Sequence, residues 1–482
     1  MSEQVPSIPA ALRALAAEAP DAPAITDTNA TLTRRQVVEW AEAVAHELVA
    51  RGVEVGDLVS IGLPSDASFL IASVATWIVG GTPQPVPANM PRAELEAVLG
   101  LAKPAIAIGF DGGSSAPSML SLPEPPATAP DPLPDVTSPN LKAPMSGGST
   151  GRPKLIVATN PADVDGLALL GAAMRIKSGD TSLITAPMHH NGPFLTSTAT
   201  LATGGHVVLP GRFDAETTLQ LIERYRAGWL YLVPTMMSRI SKLPDDVRLG
   251  YDVASLHTVM HMAAPCPPYL KQAWIDWLGP ERIMELYAGT EAQAATFING
   301  VEWLEHRGSV GKPLIGRMQI CDSEGNALPP GEVGEVWLKS DAGPTYKYIG
   351  AEARAREGGW ESLGDLGWMD EDGYLYLNDR LTDMVLVGGS NVYPAEVEAA
   401  LDEHPSVMSS CVIGLPDDDL GNRLHALVQL STDVSDEALA AWCGERLTKY
   451  KVPRTFERVD EPLRDDAAKV RRTQLRAARL RS

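Results

Sequence analysis

A short stretch from Ser146 to Lys154, Ser-Gly-Gly-Ser-Thr-Gly-Arg-Pro-Lys, constrains this chain more than any other feature, and the apolar run Leu155–Val157 follows it directly. Glycine lets backbone N–H groups turn inward and approach a ligand closely, and a concave run of such groups binds anions. The Ser and Thr hydroxyls add donors, and Lys154 adds a point charge suited to phosphate. The sequence therefore predicts a polyphosphate cradle at the mouth of a strand.

Two other interpretations of this stretch follow from its composition. Clusters of glycine and serine are often turns or linkers without a ligand. A P-loop is the other candidate, but its lysine is followed by Ser or Thr at the start of a helix. Here Pro153 precedes Lys154 and Leu155 follows it, which argues against a P-loop fold.

Strand and helix patterns alternate in the first part of the chain. An apolar strand pattern at Leu58–Leu63 is followed by a helical pattern at Phe69–Val79. An earlier helical pattern runs from Leu32 to Arg51, with Thr33 at the N-cap position. Such alternation predicts an α/β layered fold with a largely parallel sheet.

The chain is long enough for more than one domain. A single hydrophobic core does not extend over 482 residues, so two or more domains are expected. The proline-rich stretch 111–140 predicts an irregular surface linker that leads to the glycine-rich stretch. After Arg380, short strand patterns at Val385–Val387 and Val407–Ile413 flank a helical pattern at Ala395–Glu403. This set of elements predicts a small domain over residues 381–482, after a large domain over residues 1–380.

Charge and cysteine content exclude several classes of protein. The formal net charge is −21 at pH 7, which argues against a nucleic-acid partner, since nucleic-acid phosphates require a basic surface. The four cysteines lie far apart without a C-x-x-C pair, and they predict buried thiols in a reducing compartment. The most apolar window, Phe69–Gly80, is too short and too polar for a membrane span, and no secretory signal is recognised. A cytoplasmic protein is therefore expected.

The stretch Ser146–Lys154 resembles, position for position, the phosphate loop of the adenylate-forming enzymes, the family of acyl-CoA synthetases, luciferases and peptide-synthetase adenylation domains. Further motifs similar to those of the family follow in order. They are Pro187–His190 (P-x-x-H), Met262–Pro265 (G-G-A-P, with both glycines replaced), Tyr287–Glu291 (Y-G-x-T-E), Gly364–Gly367 (T-G-D-L-G), Arg380 (R-x-x-D), Leu381–Glu398 (the hinge and its loop) and Lys469 (G-K-x-x-R). The resemblance implies α/β architecture with a large N-terminal multi-layer α/β domain plus a small mobile C-terminal α+β domain.

The resemblance also implies ATP, Mg²⁺ and CoA as cofactors and a carboxylic acid as substrate. Glu291 would hold the Mg²⁺, which matches the preference of this hard cation for carboxylate oxygen. The implied catalytic residues are Lys469, Thr290, Glu291 and His190. The implied nucleotide-binding residues are Ser146, Gly147, Gly148, Ser149, Thr150, Gly151, Lys154, Ala264, Pro265, Tyr287, Asp365 and Arg380.

The acyl pocket, the CoA site and the hinge are implied in the same way. The acyl-pocket residues are His189, Val233, Met236, Met262 and Gly289. Methionine adapts to irregular apolar shapes and small residues leave room, so we expect a bulky apolar acid; this region is also similar to actinobacterial ligases for steroid- and terpenoid-type acids. The alternative, that these side chains are ordinary core, stays open here. Gly388, Gly389 and Ser390 would border the CoA tunnel, and Thr382 would be the hinge.

Two histidine pairs invite a metal-site interpretation. His189 and His190 are adjacent, but neighbouring side chains on an extended segment point apart, so a shared metal is not expected. His257 and His261 have zincin spacing but lack the glutamate of that motif, and the intervening residues are typical of a strand.

The chain departs from the family pattern at several positions. Thr382 stands where the family usually has Lys or Asp, and Leu363 replaces a threonine that could donate a hydrogen bond. Ala468 replaces a glycine and is stiffer, and the acidic pair 465–466 can compete for the charge of Lys469. These departures bear mainly on nucleotide handling and on the adenylation lysine.

The expected function is an acyl-CoA ligase, an AMP-forming acid–thiol ligase. ATP would convert the carboxylate to a mixed anhydride with AMP, and the thiol of CoA would displace AMP. One alternative is a ligase weak in adenylation that thioesterifies a preformed acyl-adenylate. Others are an adenylating enzyme that loads a carrier protein, a luciferase-like oxygenase and a non-enzymatic nucleotide-binding protein. The oligomeric state stays open, with a homodimer as one expectation.

Overall fold

The computed structural model describes residues 5–147, 153–417, 419–465 and 469–480. The described residues form helices α1 to α14, in chain order Ile8–Glu18, Arg34–Ala50, Ala67–Ile78, Arg92–Ala102, Val164–Ala173, Asn191–Ala202, Ala215–Tyr225, Pro234–Ser241, Asp245–Arg248, Pro268–Leu278, Gly300–Glu305, Pro394–Asp402, Asp436–Gly444 and Arg472–Arg479. Strands β1 to β13 are Pro23–Thr26, Thr31–Thr33, Leu58–Ile61, Thr82–Pro85, Ile106–Ile108, Ser118–Met119, Met145–Gly147, Pro153–Ala158, Thr181–Ile184, His206–Val208, Trp229–Leu232, Thr258–His261 and Ile283–Ala288. Strands β14 to β26 are Ala295–Asn299, Lys312–Ile315, Arg317–Cys321, Gly334–Lys339, Tyr346–Ile349, Arg354–Arg356, Trp360–Met369, Leu375–Arg380, Val385–Val387, Ser390–Val392, Val407–Asp417, Gly421–Leu430 and Thr455–Arg458.

A nine-stranded sheet dominates the large domain, in the spatial order β15-β14-β13-β12-β11-β9-β10-β1-β2. The inner pairs from β13 to β1 are parallel, and antiparallel strands close both edges. A second, four-stranded sheet, β4-β3-β5-β6, is parallel throughout. The prediction of an α/β fold with a largely parallel sheet is confirmed.

Local sequence signals account for several elements. Thr33 caps α2 by accepting the N–H of Gln36, and the Gln36 side chain accepts the N–H of Thr33 in return, which completes a capping box. Helix α3, the predicted helix after the Leu58 strand, is buried at every residue except Ser68. Its mostly apolar sequence suits this central position, because a helix that is apolar all round needs burial on every side.

The predicted linker 111–140 is more ordered than its composition indicates. Ser118 and Met119 form β6 and pair in parallel with β5. The indole of Trp40 donates to the carbonyl of Pro123 at 2.8 Å, and Arg13 donates to the carbonyl of Leu133 at 3.1 Å. The prediction of a stretch without regular elements was therefore wrong at β6, where burial of Met119 and tertiary pairing override a composition typical of loops.

The small domain has its own apolar core. Val385, Val397, Val412, Leu424 and Leu439 belong to one buried cluster, separate from the cluster that runs from α1 to Tyr374. The small domain contains the hairpin β22-β23 and the sheet β24-β25-β26. It also touches the large domain, where Lys242 donates to the carbonyl of Val407 at 2.6 Å.

Candidate active site

The carboxyl ends of four neighbouring parallel strands bring the predicted pocket segments together. Strands β9, β11, β12 and β13 are adjacent in the sheet. The chain leaves their ends into the segments that contain His189, Val233, Met262 and Gly289. In open α/β sheets, ligands bind outside the carboxyl ends of the strands. The topology thus places segments far apart in sequence around one candidate site.

Glu291 is the buried carboxylate of this site. Its side chain is 7% exposed, Tyr348 Oη donates to its Oε1 at 2.5 Å, and Lys154 Nζ lies 3.4 Å from the same oxygen. The Lys154 ammonium also stands 3.8 Å from the centre of the Tyr348 ring. Burial, followed by the contact with Glu291, raises the pKa of Tyr348, so its hydroxyl stays a proton donor. The lysine predicted to bind phosphate is therefore held beside the carboxylate predicted to bind Mg²⁺.

Sequence reasoning did not find Tyr348. It lies on β18, which pairs antiparallel with β8 and places Tyr348 opposite Ile156. The partner strand is far away in the sequence, so no local pattern indicates this contact. The tyrosines alternate along β18, where Tyr346 donates to Glu361 at 2.7 Å, and a period of two is typical of a strand with one face toward a site.

Lys469 reaches the site from the small domain. The residue is exposed, but loss of solvent around its ammonium and the charge of Arg380 lower its pKa, while Asp465 and Glu291 act in the opposite direction. Lys469 in turn contributes to the lowered pKa of His190. The charges of Arg380 and Glu291 thus act on Lys469 from the large domain, and the charge of Lys469 acts on His190.

The acidic residues next to Lys469 were predicted to compete for its charge. Asp465 Oδ1 accepts the backbone N–H of Lys469 at 2.9 Å, and the N–H of Asp465 donates to the carbonyl of Lys469 at 2.9 Å. Asp465 therefore fixes the backbone of the lysine as well as raising its pKa. Asp466 and Ala468 lie outside the described residues.

Three of the predicted nucleotide-binding residues, Tyr287, Asp365 and Arg380, form a connected group. Tyr287 Oη donates to Asp365 Oδ2 at 2.7 Å, and Arg380 Nε lies 3.4 Å from Asp365 Oδ1. Asp365 and Arg380 are register partners on β20 and β21. Burial and the neighbouring Asp365 raise the pKa of Tyr287, which keeps its hydroxyl protonated. This group places the carboxylate of Asp365 and the ring of Tyr287 near the end of β13.

The two adjacent histidines do not point apart. Their ring centroids lie 4.0 Å from each other with the planes inclined at 47°. The expectation of diverging side chains assumed an extended segment, and it was wrong because the N–H of His190 donates to the carbonyl of Pro187 and closes a turn. Burial, His189 and Lys469 lower the pKa of His190 to about 2. His190 is therefore a neutral imidazole at physiological pH.

The predicted acyl-pocket residues Val233, Met236 and Met262 are buried. A Cβ added to Gly192 would lie 2.8 Å from Tyr231 Oη and 3.0 Å from Met262 Sδ. Gly192 on α6 therefore faces these two side chains without space for a methyl group. Tyr231 lies on β11, two residues before the predicted pocket residue Val233, and only the structure shows that its hydroxyl faces Gly192.

Leu363, one of the departures from the family pattern, packs over Gly289. A Cβ added to Gly289 would clash with Leu363 Cδ1 and would lie 3.0 Å from Glu291 Oε2. The leucine therefore covers the backbone beside the buried carboxylate with an apolar surface.

Two non-glycine residues near the site have left-handed backbone. Ala263 has φ +76° at a position where the resembling motif has glycine, and Ala292, next to Glu291, has φ +55°. This conformation costs roughly 1–2 kcal/mol for a residue with a Cβ. Such strain is typical of functional sites, where the surrounding structure holds it in place.

The described part of the glycine-rich stretch is the base of a hairpin. Ser146 and Lys154 are register partners on β7 and β8, and Gly147 ends β7. The predicted nucleotide-binding residues Gly148, Ser149, Thr150 and Gly151 lie outside the described residues. Thr290 lies between Gly289 and Glu291, and Ala264 and Pro265 follow the strained Ala263.

The predicted CoA-side residues form a tight turn. Gly388 and Gly389 have φ +55° and +82° and join β22 to β23, with Ser390 paired to Val387. Two successive positive φ values are typical of hairpin turns that favour glycine. Their described contacts lie within the small domain, where the N–H of Gly388 donates to the carbonyl of Leu420. Thr382, the predicted hinge, is exposed.

The donor set around Glu291 suits Mg²⁺ better than a metal held by protein alone. In the part of the chain that the structure describes, no three His, Cys, Asp or Glu side chains are grouped to hold a metal ion. Mg²⁺ usually binds through one or two carboxylates together with substrate phosphates and water. One buried carboxylate beside Lys154 fits that mode of binding.

The sequence matches known proteins along most of its length. A family model described as AMP-binding enzyme matches residues 12–345, and a model described as AMP-binding enzyme C-terminal domain matches residues 396–466. A sulfoacetate–CoA ligase from Cupriavidus necator is 30% identical over 95% of each chain. A 2-succinylbenzoate–CoA ligase from Bacillus licheniformis is 30% identical over 95% of this chain and 97% of its own.

A similar structure is that of the o-succinylbenzoate coenzyme A synthetase MenE from Bacillus subtilis, in complex with ATP and magnesium ion. It has a TM-score of 0.82 and 26% identity, and the match covers 96% of this chain and 98% of the other. Among the described residues, no helix is long and apolar enough to cross a membrane.

Proposed function

The chain belongs to the AMP-binding enzyme family as an AMP-forming acid–thiol ligase, and we propose that its substrate is a bulky apolar carboxylic acid. ATP, Mg²⁺ and CoA are its cofactors, and the reaction passes through an acyl-adenylate, the intermediate bound in a similar MenE structure from Bacillus subtilis. The observation that carries the proposal is the burial of Val233, Met236 and Met262 just after strands β11 and β12, beside the strand that leads to the buried carboxylate of Glu291.

Charge stabilisation explains what the polar residues do in the first half-reaction. Attack of the carboxylate on the α-phosphorus builds negative charge on the surrounding phosphate oxygens and on the departing pyrophosphate, and fixed positive groups in a site that excludes water stabilise such charge strongly. Lys469 supplies an ammonium that has lost part of its own hydration. Lys154 supplies a second ammonium, and Thr290 adds a hydroxyl donor. When bound, Mg²⁺ supplies Lewis-acid neutralisation of phosphate charge, with Glu291 as its protein ligand.

The other residues bind and orient the substrates. Asp365 accepts ribose hydroxyls while Arg380 and Tyr287 hold its carboxylate in place. The neutral imidazole of His190 stands at the mouth of the acyl pocket and does not repel the cationic Lys469. Because Lys469 comes from the small domain, closure about a hinge at Thr382 completes the site. We further propose domains at 1–380 and 381–482, with Gly388, Gly389 and Ser390 on the CoA side.

The apolar lining supports a bulky acid. Val233, Met236 and Met262 present no charge, and methionine fits irregular apolar shapes. We also propose a cytoplasmic location, which is supported by the four cysteines being free of disulfides in the structure.

A panel of acids tests the substrate class. The panel contains abietic, cholic, benzoic, hexanoic and acetic acids, and each is assayed for AMP, pyrophosphate and thioester with and without CoA. We expect kcat/KM for the polycyclic acids to exceed that for the short linear acids by about tenfold or more, since one misfit methylene alone changes it 10–200-fold. Preference for acetic or hexanoic acid would overturn the pocket assignment.

The same assay decides between the full reaction and its alternatives. Leu363 over Gly289 favours a second candidate, a ligase weak in adenylation that thioesterifies an acyl-adenylate supplied to it. That enzyme would convert preformed adenylate rapidly and catalyse little acid-dependent ATP–pyrophosphate exchange. Robust exchange excludes it. Transfer to a phosphopantetheinylated carrier protein in preference to CoA would instead support an adenylating enzyme that loads a carrier.

Gly192→Ala tests the size of the pocket directly. The new methyl group would intrude on Tyr231 Oη and Met262 Sδ, so we expect the kcat/KM of the bulkiest accepted acid to fall by about tenfold or more, with short acids much less affected. Gly100→Ala is the matched control, because the added methyl group on α4 meets nothing within 4 Å. Equal losses for long and short acids would show that Gly192 does not line the pocket.

A further inference from the structure

Lys142 is a buried amine beside the candidate site to which the proposed reaction gives no role. Its residue surface is 5% exposed. The backbone around it is fixed, because the N–H of Ala158 donates to the carbonyl of Lys142 at 2.9 Å and the N–H of Ala143 donates to the carbonyl of Pro83 at 2.9 Å. The side chain therefore enters the interior from a rigid segment between β4 and β8.

The Lys142 ammonium contacts an amide oxygen. Lys142 Nζ donates to Oδ1 of Asn191. No carboxylate of the described residues lies within 4.0 Å of the ammonium. Burial lowers the pKa of Lys142 to about 7, and the charge of Glu291 opposes this shift only in part. Glu291 is already engaged by Tyr348 and Lys154.

Keeping such a group inside the protein is unfavourable. A buried ammonium loses its hydration, and a neutral amide does not compensate for this loss as a paired carboxylate does. Buried Lys271 shows the paired arrangement in the same chain, with Glu285 Oε2 at 2.6 Å. Groups that reduce stability in this way are concentrated at functional sites.

The position of Asn191 shows what the contact does. Asn191 is the first residue of α6, directly after the neighbouring rings of His189 and His190 and directly before Gly192. His190 is the N-cap residue but makes no side-chain capping hydrogen bond. The start of the helix thus lacks the usual local support, and the ammonium of Lys142 binds the residue that follows.

We propose that Lys142 is a positioning residue for the acid substrate, which through Asn191 holds the turn His189–Gly192 at the mouth of the acyl pocket. This inference rests on the proposed ligase function. In this role the Lys142 ammonium acts through Asn191 and does not contact the reacting atoms. Its loss should therefore impair the use of the acid and leave the use of ATP unchanged.

The kinetic test compares Lys142→Met, Asn191→Leu and the double variant with the unmodified enzyme, on the panel acid that has the highest kcat/KM. We expect each single variant to raise the KM for the acid by about tenfold, which corresponds to 1.4 kcal/mol, with kcat and the KM for ATP changed less than about twofold. If the two residues act as a unit, the double variant is no worse than either single one. Lys177→Met, an exposed lysine, is the control for loss of charge.

A second measurement does not need turnover. Hydrogen exchange of the backbone amides from 189 to 192 should become about fivefold faster or more in Lys142→Met and in Asn191→Leu, while the last turn of α6 keeps its protection. If the unmodified protein turned over no acid of the panel, the proposed function would fail, and the exchange result would still decide the role of Lys142. Unchanged exchange, additive effects or an equal rise in the KM for ATP would each overturn the positioning role.

Discussion

Replacing Lys469 with alanine is expected to lower acid-dependent ATP–pyrophosphate exchange by about 10²–10³-fold, the loss typical when a preorganised charged donor is removed. Loss of solvent around the ammonium and the charge of Arg380 lower its pKa, and the charge of Glu291 acts on it in the opposite direction. A partly desolvated charge acts more strongly on the substrate than one in bulk water. Pyrophosphate exchange with the best panel acid measures this loss.

The same variant should separate the two half-reactions. Conversion of preformed acyl-adenylate to the thioester should stay near the unmodified rate, because in that step the thiol attacks the acyl carbon and the acyl C–O bond breaks, while the phosphorus keeps its four bonds. Lys449→Ala is the matched control, since Lys449 is an exposed lysine of the same domain. An equal loss in both half-reactions would assign Lys469 to the overall structure of the small domain, and no loss in either would remove it from the site.

Replacing Glu291 with glutamine is expected to lower adenylation by about 10²-fold or more and to raise the Mg²⁺ concentration required for half-maximal exchange. The amide keeps an oxygen that can accept from Tyr348 and Lys154, so the surrounding contacts survive. It removes the negative charge that a hard cation prefers. A Mg²⁺ titration of pyrophosphate exchange, at saturating ATP and acid, separates metal binding from a general loss of rate.

Glu352→Gln is the control for this change, because Glu352 is an exposed glutamate outside the site. If Glu291→Gln lost activity while its Mg²⁺ dependence stayed unchanged, Glu291 would be a partner of Lys154 and not a metal ligand. Full activity at ordinary Mg²⁺ would exclude both roles.

Much of the fold could be predicted because its signals are local. The residues next to Thr33 are enough to predict that it caps a helix, and the apolar composition of the run that begins at Leu58 is enough to predict a buried strand. The alternation of these elements then limits the topology, since parallel strands require crossover helices. Lys469 could be indicated only by its order among the other motifs, because a single lysine in a basic segment carries no local signal.

The remaining features depend on tertiary contacts. Tyr348 meets Glu291 because β18 pairs with β8, and the two strands are distant in the sequence. The rings of His189 and His190 approach each other because a turn replaces the extended backbone that the sequence suggested. In the sequence Lys142 is an ordinary polar residue of a loop, and its burial in the structure is what shows that its side chain faces the interior.

The separate apolar cores of the two domains have a consequence for thermal denaturation. The core that contains Val397 and Val412 is not continuous with the core of the nine-stranded sheet, and a molecule built in this way need not melt in one cooperative transition. A single melting temperature would then average two units of different stability. A ligand that contacted both domains would stabilise only the state in which both are folded, so the separation of the calorimetric transitions would report how strongly that ligand couples the two domains.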